Sequence, residues 1–284
     1  MRILLFICVC LLVSCLLMVE TACSHANEKP PVHSWASFIL EKTAVQPGAE
    51  ANVGIQFVTE KGWHIYWRNP GDSGEPPRIQ WRLPAGVTAG ALEWPAPKRL
   101  NTAAGTDYGY EGTTVLLSKV QFPTTAQPGA TLELDGELRW LVCHDVCVPQ
   151  RAQIKTPVRI ASAASVDSAA QRILRASAQQ IPKPLPAGFH PSVTSSPESF
   201  RLALVASEPI DQAEFFPVQA EQIDNEAAQE FATHAGATQL TLKKSDHLQQ
   251  DPQRLAGVVV LNGRDAYQID VPVQPAIAQQ SRRR

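Results

Sequence analysis

Between residues 35 and 160 apolar side chains recur at every second position in short runs, and each run is cut off by Pro or Gly. Residues 51–58, 114–120 and 131–138 are examples. A period of two places alternate side chains on opposite faces of a β-strand, and the Pro and Gly between runs supply turns. No window here sustains a 3.6-residue period, and no strand–helix–strand pattern is legible, which disfavours a thioredoxin fold. The chain is mainly β, and residues 33–160 are expected to form an all-β sandwich.

Residues 161–180 are rich in Ala, Ser and Gln, with Val166, Ala169, Ala170, Ile173 and Leu174 spaced for a short amphipathic helix. Pro182, Pro184 and Pro186 end it, so 161–186 reads as a helical, Pro-rich linker. The alternating pattern returns at 199–205, 213–217, 239–242, 257–261 and 267–271, which predicts a second, smaller, sandwich-like β domain over 187–275. Residues 276–284 end in three arginines and read as a solvated tail.

Met1 and Arg2 precede an apolar run over 3–19 and then small residues suited to cleavage, the pattern of an export signal. Cleavage after Ala26 is expected to release a soluble protein into the periplasm. The stretches ending at Cys15 and Cys23 also fit lipoprotein processing, so a lipid-anchored form is the alternative. The run is marginal for an uncleaved membrane span, which needs about 20 apolar residues. A net charge of −2 leaves no basic footprint for nucleic acid.

Removing the export segment leaves Cys143 and Cys147 in the sequence Trp140-Leu141-Val142-Cys143-His144-Asp145-Val146-Cys147-Val148-Pro149. Four residues of extended strand would hold the two about 13 Å apart, so pairing them requires the chain to reverse between them. A ring this small restrains the unfolded chain by only about 2 kcal/mol: a weak staple and a plausible redox switch. A static cystine in a structural module is a second reading. Copper or zinc binding by Cys143, His144 and Cys147 is a third, although adjacent Cys143 and His144 point apart in most turns and no second CxxC or HxxxH completes a site. Trp63 and Trp67 read as core, with a binding wall as the other possibility, and Tyr66 is expected near the thiols.

A further set of residues carries a family likeness. Gly62-Trp63-His64-x-Tyr66-Trp67-Arg68-Asn69-Pro70-Gly71-Asp72-x-Gly74, Pro76-Pro77-x-Ile79-x-Trp81, Trp94-Pro95-Ala96-Pro97, Tyr108-Gly109-Tyr110-Glu111-Gly112 and the CxxxC segment stand in this order. Phe215-Phe216-Pro217 and Leu255-x-Gly257 follow in the second region. Together they resemble the N-terminal periplasmic region of the thiol:disulfide interchange protein DsbD family, in its suppressor-of-copper-sensitivity B (ScsB) type. The resemblance implies an immunoglobulin-like sandwich without cofactor, in which Cys143 and Cys147 are the redox pair. By position, Cys147 joins the partner and Cys143 resolves. His144 and Asp145, between the cysteines, read as solvent-facing turn residues, with a role in shifting protons or charge as the other reading. Asp107, Tyr108 and Tyr110 fall where the family has a cap loop shielding the pair, and with Gly105 and Gly109 nearby the segment reads as a flexible surface loop with bulky tips. The implied partners are a separate membrane-embedded electron donor of the DsbD/CcdA type and a periplasmic thioredoxin-fold acceptor. Full-length members continue into a transmembrane region, whereas this sequence stops at Arg284, so the expectation is that it does not carry electrons across the membrane by itself.

Overall fold

In the computed structural model, which describes residues 32–205, 209–234 and 237–275, nearly all regular structure is β-strand. The export segment with Cys15 and Cys23, and the Arg-rich tail, lie outside the described residues. The N-terminal region opens with β1 (Ser34–Leu40), β2 (Lys42–Val45), β3 (Glu50–Thr59), β4 (His64–Gly71), β5 (Arg78–Arg82) and β6 (Thr88–Ala89). It continues with β7 (Lys98–Thr102), β8 (Gly105–Glu111), β9 (Thr113–Gln121), β10 (Thr131–Cys143) and β11 (Cys147–Ile160). One sheet runs β1-β3-β9-β6; its partner runs β2-β11-β10-β4-β8-β7, with β5 beside β10 and the short β12 (Ser165–Val166) capping the β2 edge. Period-two sequences turn Ile55, Phe57 and Leu116 of the first sheet towards Ile65, Trp67, Leu138, Trp140 and Val142 of the second. At the other end of the sandwich, Val45, Val53, Val120, Phe122, Leu134 and Val158 close the core. These two packed layers, antiparallel apart from the short parallel β2–β11 pairing, form a sandwich of immunoglobulin-like type.

The linker forms one helix, α1 (Ser168–Ala178). Asp167 caps it by accepting hydrogen bonds from the main-chain N–H groups of Ala169 and Ala170 at 2.9 and 3.0 Å. Leu174 packs against Val115 and Leu117, on the outer face of the β1-β3-β9 sheet. Pro182 and Pro184 then prevent the helix from resuming.

The C-terminal region contributes β13 (Lys183–Pro184), β14 (His190–Ser195), β15 (Ser199–Val205), β16 (Ala213–Pro217), β17 (Glu230–His234), β18 (Ala237–Lys243), β19 (Arg254–Leu261) and β20 (Asp265–Pro275). They form a single sheet in the order β16-β19-β20-β14-β15-β18-β17, with β13 beside β20. Its own core holds Phe200, Leu202, Phe215, Leu240, Leu242, Leu255 and Val259. Strand alternation turns the neighbours Phe216 and Val258 the other way, and both join the N-terminal core beside Trp67 and Tyr108. The two β regions thus share buried side chains, and the described residues from His33 onwards form one compact unit.

Candidate redox site

The β10–β11 hairpin pairs residue for residue from Thr131↔Arg159 to Cys143↔Cys147. Its turn is His144-Asp145-Val146, closed by a hydrogen bond from the His144 N–H to the Val146 carbonyl at 3.2 Å. The cysteine Cα atoms lie 4.2 Å apart and the sulfurs are joined as a disulfide, close to the ~4.5 Å of the tighter kind of antiparallel pair. The two cysteines are not equivalent. Cys143 also pairs with His64 of β4 and is 2% exposed, whereas Cys147 begins β11 at the open edge of the sheet and is exposed.

Strand β4 is buried on both faces over its first four residues. Ile65 and Trp67 face the sandwich core; His64 and Tyr66 occupy the other face. The Tyr66 hydroxyl stands 3.6 Å from the Cys147 Sγ and 3.4 Å from the Ser73 Oγ. Above the ring lies the loop 71–75, and Gly74 is required there: its φ is +78°, and a Cβ would overlap the phenol. Ser73 donates its main-chain N–H to Asp107 Oδ1 at 3.0 Å and its hydroxyl to the same carboxylate at 2.9 Å. Asp107 is 1% exposed, and His64 Nε2 sits 3.6 Å from its Oδ2. That nitrogen is buried and makes no hydrogen bond among the described residues.

Burial is the main reason the Tyr66 hydroxyl is held above its ordinary pKa of 10; the Ser73 hydrogen bond pulls the other way and the Asp107 charge adds to the rise. Tyr66 is therefore a neutral donor at physiological pH. Since the single Ser73 hydroxyl proton is committed to Asp107, any hydrogen bond between Ser73 and Tyr66 has the phenol as donor. The same phenol proton is the one within reach of the Cys147 sulfur.

Of the four residues expected to shelter the pair, Tyr66 touches Cys147, and Asp107 joins the network one residue further out. The cap assignment of Tyr108 and Tyr110 is corrected: the segment is strand β8, not a surface loop. Alternation sends Asp107 to the redox side and the two tyrosines to the opposite face. Tyr108 is fully buried against Trp67 and Phe216 and donates to Asn225 Oδ1 at 2.8 Å. Tyr110 donates to the Pro95 carbonyl at 2.7 Å. Burial holds both phenols well above their ordinary pKa. Ser73, Gly74 and His64 were not singled out from sequence as site residues; the Gly-rich run 71–74 was legible only as a loop.

His144 and Asp145 are exposed in the turn and pair with each other at 2.8 Å. The His144 ring leans towards Trp63, which stacks on His33 at 3.7 Å, and Val146 is 63% exposed. Among the described residues no three His, Cys, Asp or Glu side chains converge as a metal site.

A disulfide-bonded cysteine pair at a hairpin tip, with Cys143 buried and Cys147 exposed beside a tyrosine, on an immunoglobulin-like sandwich is the arrangement expected of a thiol:disulfide interchange module. Residues 36–159 match the family model for the N-terminal domain of the thiol:disulfide interchange protein DsbD, so this stretch is a DsbD N-terminal-like domain. The N-terminal periplasmic domain of ScsB from Proteus mirabilis overlays with a TM-score of 0.68 at 15% identity, covering 87% of this chain and 96% of that one. At that identity the likeness is one of fold, and it extends over both β regions. The reduced DsbD N-terminal domain of Neisseria meningitidis, 14% identical, covers 46% of this chain and 91% of that one with a TM-score of 0.25, too loose an overlay to bear on the fold. No curated protein sequence matches the chain.

Proposed function

We propose that this protein is a periplasmic electron carrier that cycles between the Cys143/Cys147 dithiol and disulfide. The observation that carries the reading is the asymmetry of the pair, with Cys147 exposed and Cys143 buried directly behind it. In the reduced state the Cys147 thiolate attacks one sulfur of an acceptor's disulfide. That bond breaks, a mixed disulfide forms, and the acceptor's released thiolate takes up a proton. Cys143, deprotonated, then attacks the Cys147 sulfur and expels the acceptor's second thiolate. Two electrons have passed to the acceptor, and the intramolecular disulfide has re-formed. The Tyr66 phenol supports this cycle by donating to the Cys147 thiolate when the disulfide opens, in place of its long contact to Ser73. A membrane-embedded donor of the DsbD/CcdA type reverses the sequence to recharge the pair, and a thioredoxin-fold protein is the acceptor. Residence in the periplasm agrees with the family, whose N-terminal domains are periplasmic; among the described residues no helix is long and apolar enough to cross a membrane.

Two measurements test the reading. Thiol content titrated against a dithiothreitol series should give a midpoint above about −300 mV, the region below which structural disulfides lie; a pair that stays oxidised far below it is a static cystine. Cys143→Ala should accumulate a mixed disulfide through Cys147 in the native host on non-reducing gels, and Cys147→Ala should accumulate little. Trapping only in Cys147→Ala would reverse the roles, and trapping in neither would remove the carrier reading.

A further inference from the structure

The loop that covers Tyr66 is tied down from the C-terminal region. Asp72, next to Ser73 and two residues before Gly74, has both carboxylate oxygens engaged. Oδ2 accepts from the Thr106 N–H at 2.8 Å, and Oδ1 accepts from the Asn225 Nδ2 at 2.7 Å. The Asp72 N–H in turn donates to the Thr106 carbonyl at 3.1 Å. Asn225 is 153 residues away in sequence and 6% exposed. Its orientation is forced, because a carboxylate can only accept and the amide must therefore present its NH2 group to Asp72. Its Oδ1 then receives the Tyr108 hydroxyl, and its main-chain carbonyl receives the Arg99 guanidinium. The turn bearing it has hydrogen bonds of its own: Asp224 Oδ1 accepts from the Glu226 and Ala227 N–H groups, and Oδ2 pairs with Lys243 at 2.7 Å.

We infer that Asn225 is a positioning residue for the redox pair: by holding Asp72 it keeps the 71–75 loop pressed on Tyr66, and so sets how readily Cys147 is reached. The inference deepens the interchange reading and rests on it for its purpose, though not for its geometry. Without the amide donor, the freed Oδ1 of the exposed Asp72 side chain takes water in its place, and the loop loses its hydrogen-bonded tie to the C-terminal region. Ser73 and Gly74 are covalently continuous with Asp72 and loosen with it. Tyr66 then loses the backbone that packs on its ring. On this account the C-terminal sheet tunes the site from behind, without contributing an atom to the cysteines' own contacts.

The test uses the full chain, chemically reduced, and the second-order rate of iodoacetamide with Cys147 read by mass spectrometry at fixed pH. Asn225→Asp keeps size and the acceptor for Tyr108 but sets a carboxylate against Asp72; it should raise the rate about tenfold. The exchange Asp72→Asn with Asn225→Asp restores a donor–acceptor pair with the donor on the loop, and should bring the rate back to within about twofold of the parent. Asp270→Asn breaks the exposed Arg254–Asp270 ion pair, which lies outside this network, and should leave the rate at the parental value. A parental rate in Asn225→Asp, or an equal acceleration in Asp270→Asn, would overturn the inference. If Asn225→Asp does not fold by circular dichroism, Asn225→Ala removes the donor without adding charge and carries the same expectation. Alkylation is defined whether or not the protein exchanges disulfides with a partner, so failure of the carrier reading leaves this result independent.

Discussion

Tyr66 has no exposed surface, yet its hydroxyl reaches a sulfur that does. A buried phenol at the mouth of a redox pair is neutral, bulky and able to give one proton, which suits both exclusion of water and support of a thiolate. Tyr66→Phe keeps the ring and should cost at most about 1 kcal/mol at neutral pH, since the hydroxyl's contacts are long. Its effect on stability should depend on pH in a defined sense. The Tyr66 pKa is raised in the folded state, so its contribution is fully present below pH 10 and is lost as pH rises from there through the folded value. Urea unfolding of the parent and the variant should run parallel up to pH 10, and above it the parent should lose stability relative to Tyr66→Phe. Parallel curves across the whole range would mean that the phenol ionises freely in the folded protein. The position of Tyr66 beside the thiols was readable from the aromatic run before the 71–75 loop; its bond to the Ser73–Asp107 pair was not, because Asp107 arrives from a strand 41 residues away.

Strand β8 shows at the level of one element how composition misleads. Two glycines among tyrosines read as a mobile surface loop. Gly109, however, lies where a Cβ would run into the Ile65 carbonyl of β4, so its role is close approach between strands. Alternation then divides the strand's work, with Asp107 on the redox face and Tyr108 in the core shared with Phe216 and Val258. Tyr108→Ala should consequently cost about 3–5 kcal/mol, the usual range for deleting a buried aromatic ring, as read from the shift in urea midpoint. A change under 1 kcal/mol would return Tyr108 to the surface. The hairpin and the helix α1 were legible because their determinants are local: a CxxxC that has to reverse, and a 3.6-residue apolar spacing ended by prolines.

Across the whole molecule, Phe216 and Val258 from one region pack on Trp67 and Tyr108 from the other, and Asn69 donates to the Pro217 carbonyl at 2.8 Å. Side chains buried in common couple the two regions' unfolding. All six tryptophans lie between residues 35 and 140, so tryptophan fluorescence follows the N-terminal region alone, while far-UV circular dichroism follows both. The two probes should give coincident urea transitions. Separated midpoints would show that the regions unfold independently and that the shared core couples them little.

The sequence by itself determined the strand-and-turn character of both regions, the short helix between them and the cysteine pair as the centre of interest. Those features depend on period, turn chemistry and spacing along a few neighbouring residues. Only the tertiary structure decided which face of β8 meets the redox pair, which cysteine is buried, and that Asn225 and Asp72 meet across 153 residues. Burial and hydrogen-bond partnership are properties of what folds against a residue, and nothing in a local pattern fixes the partner that arrives from the far end of the chain.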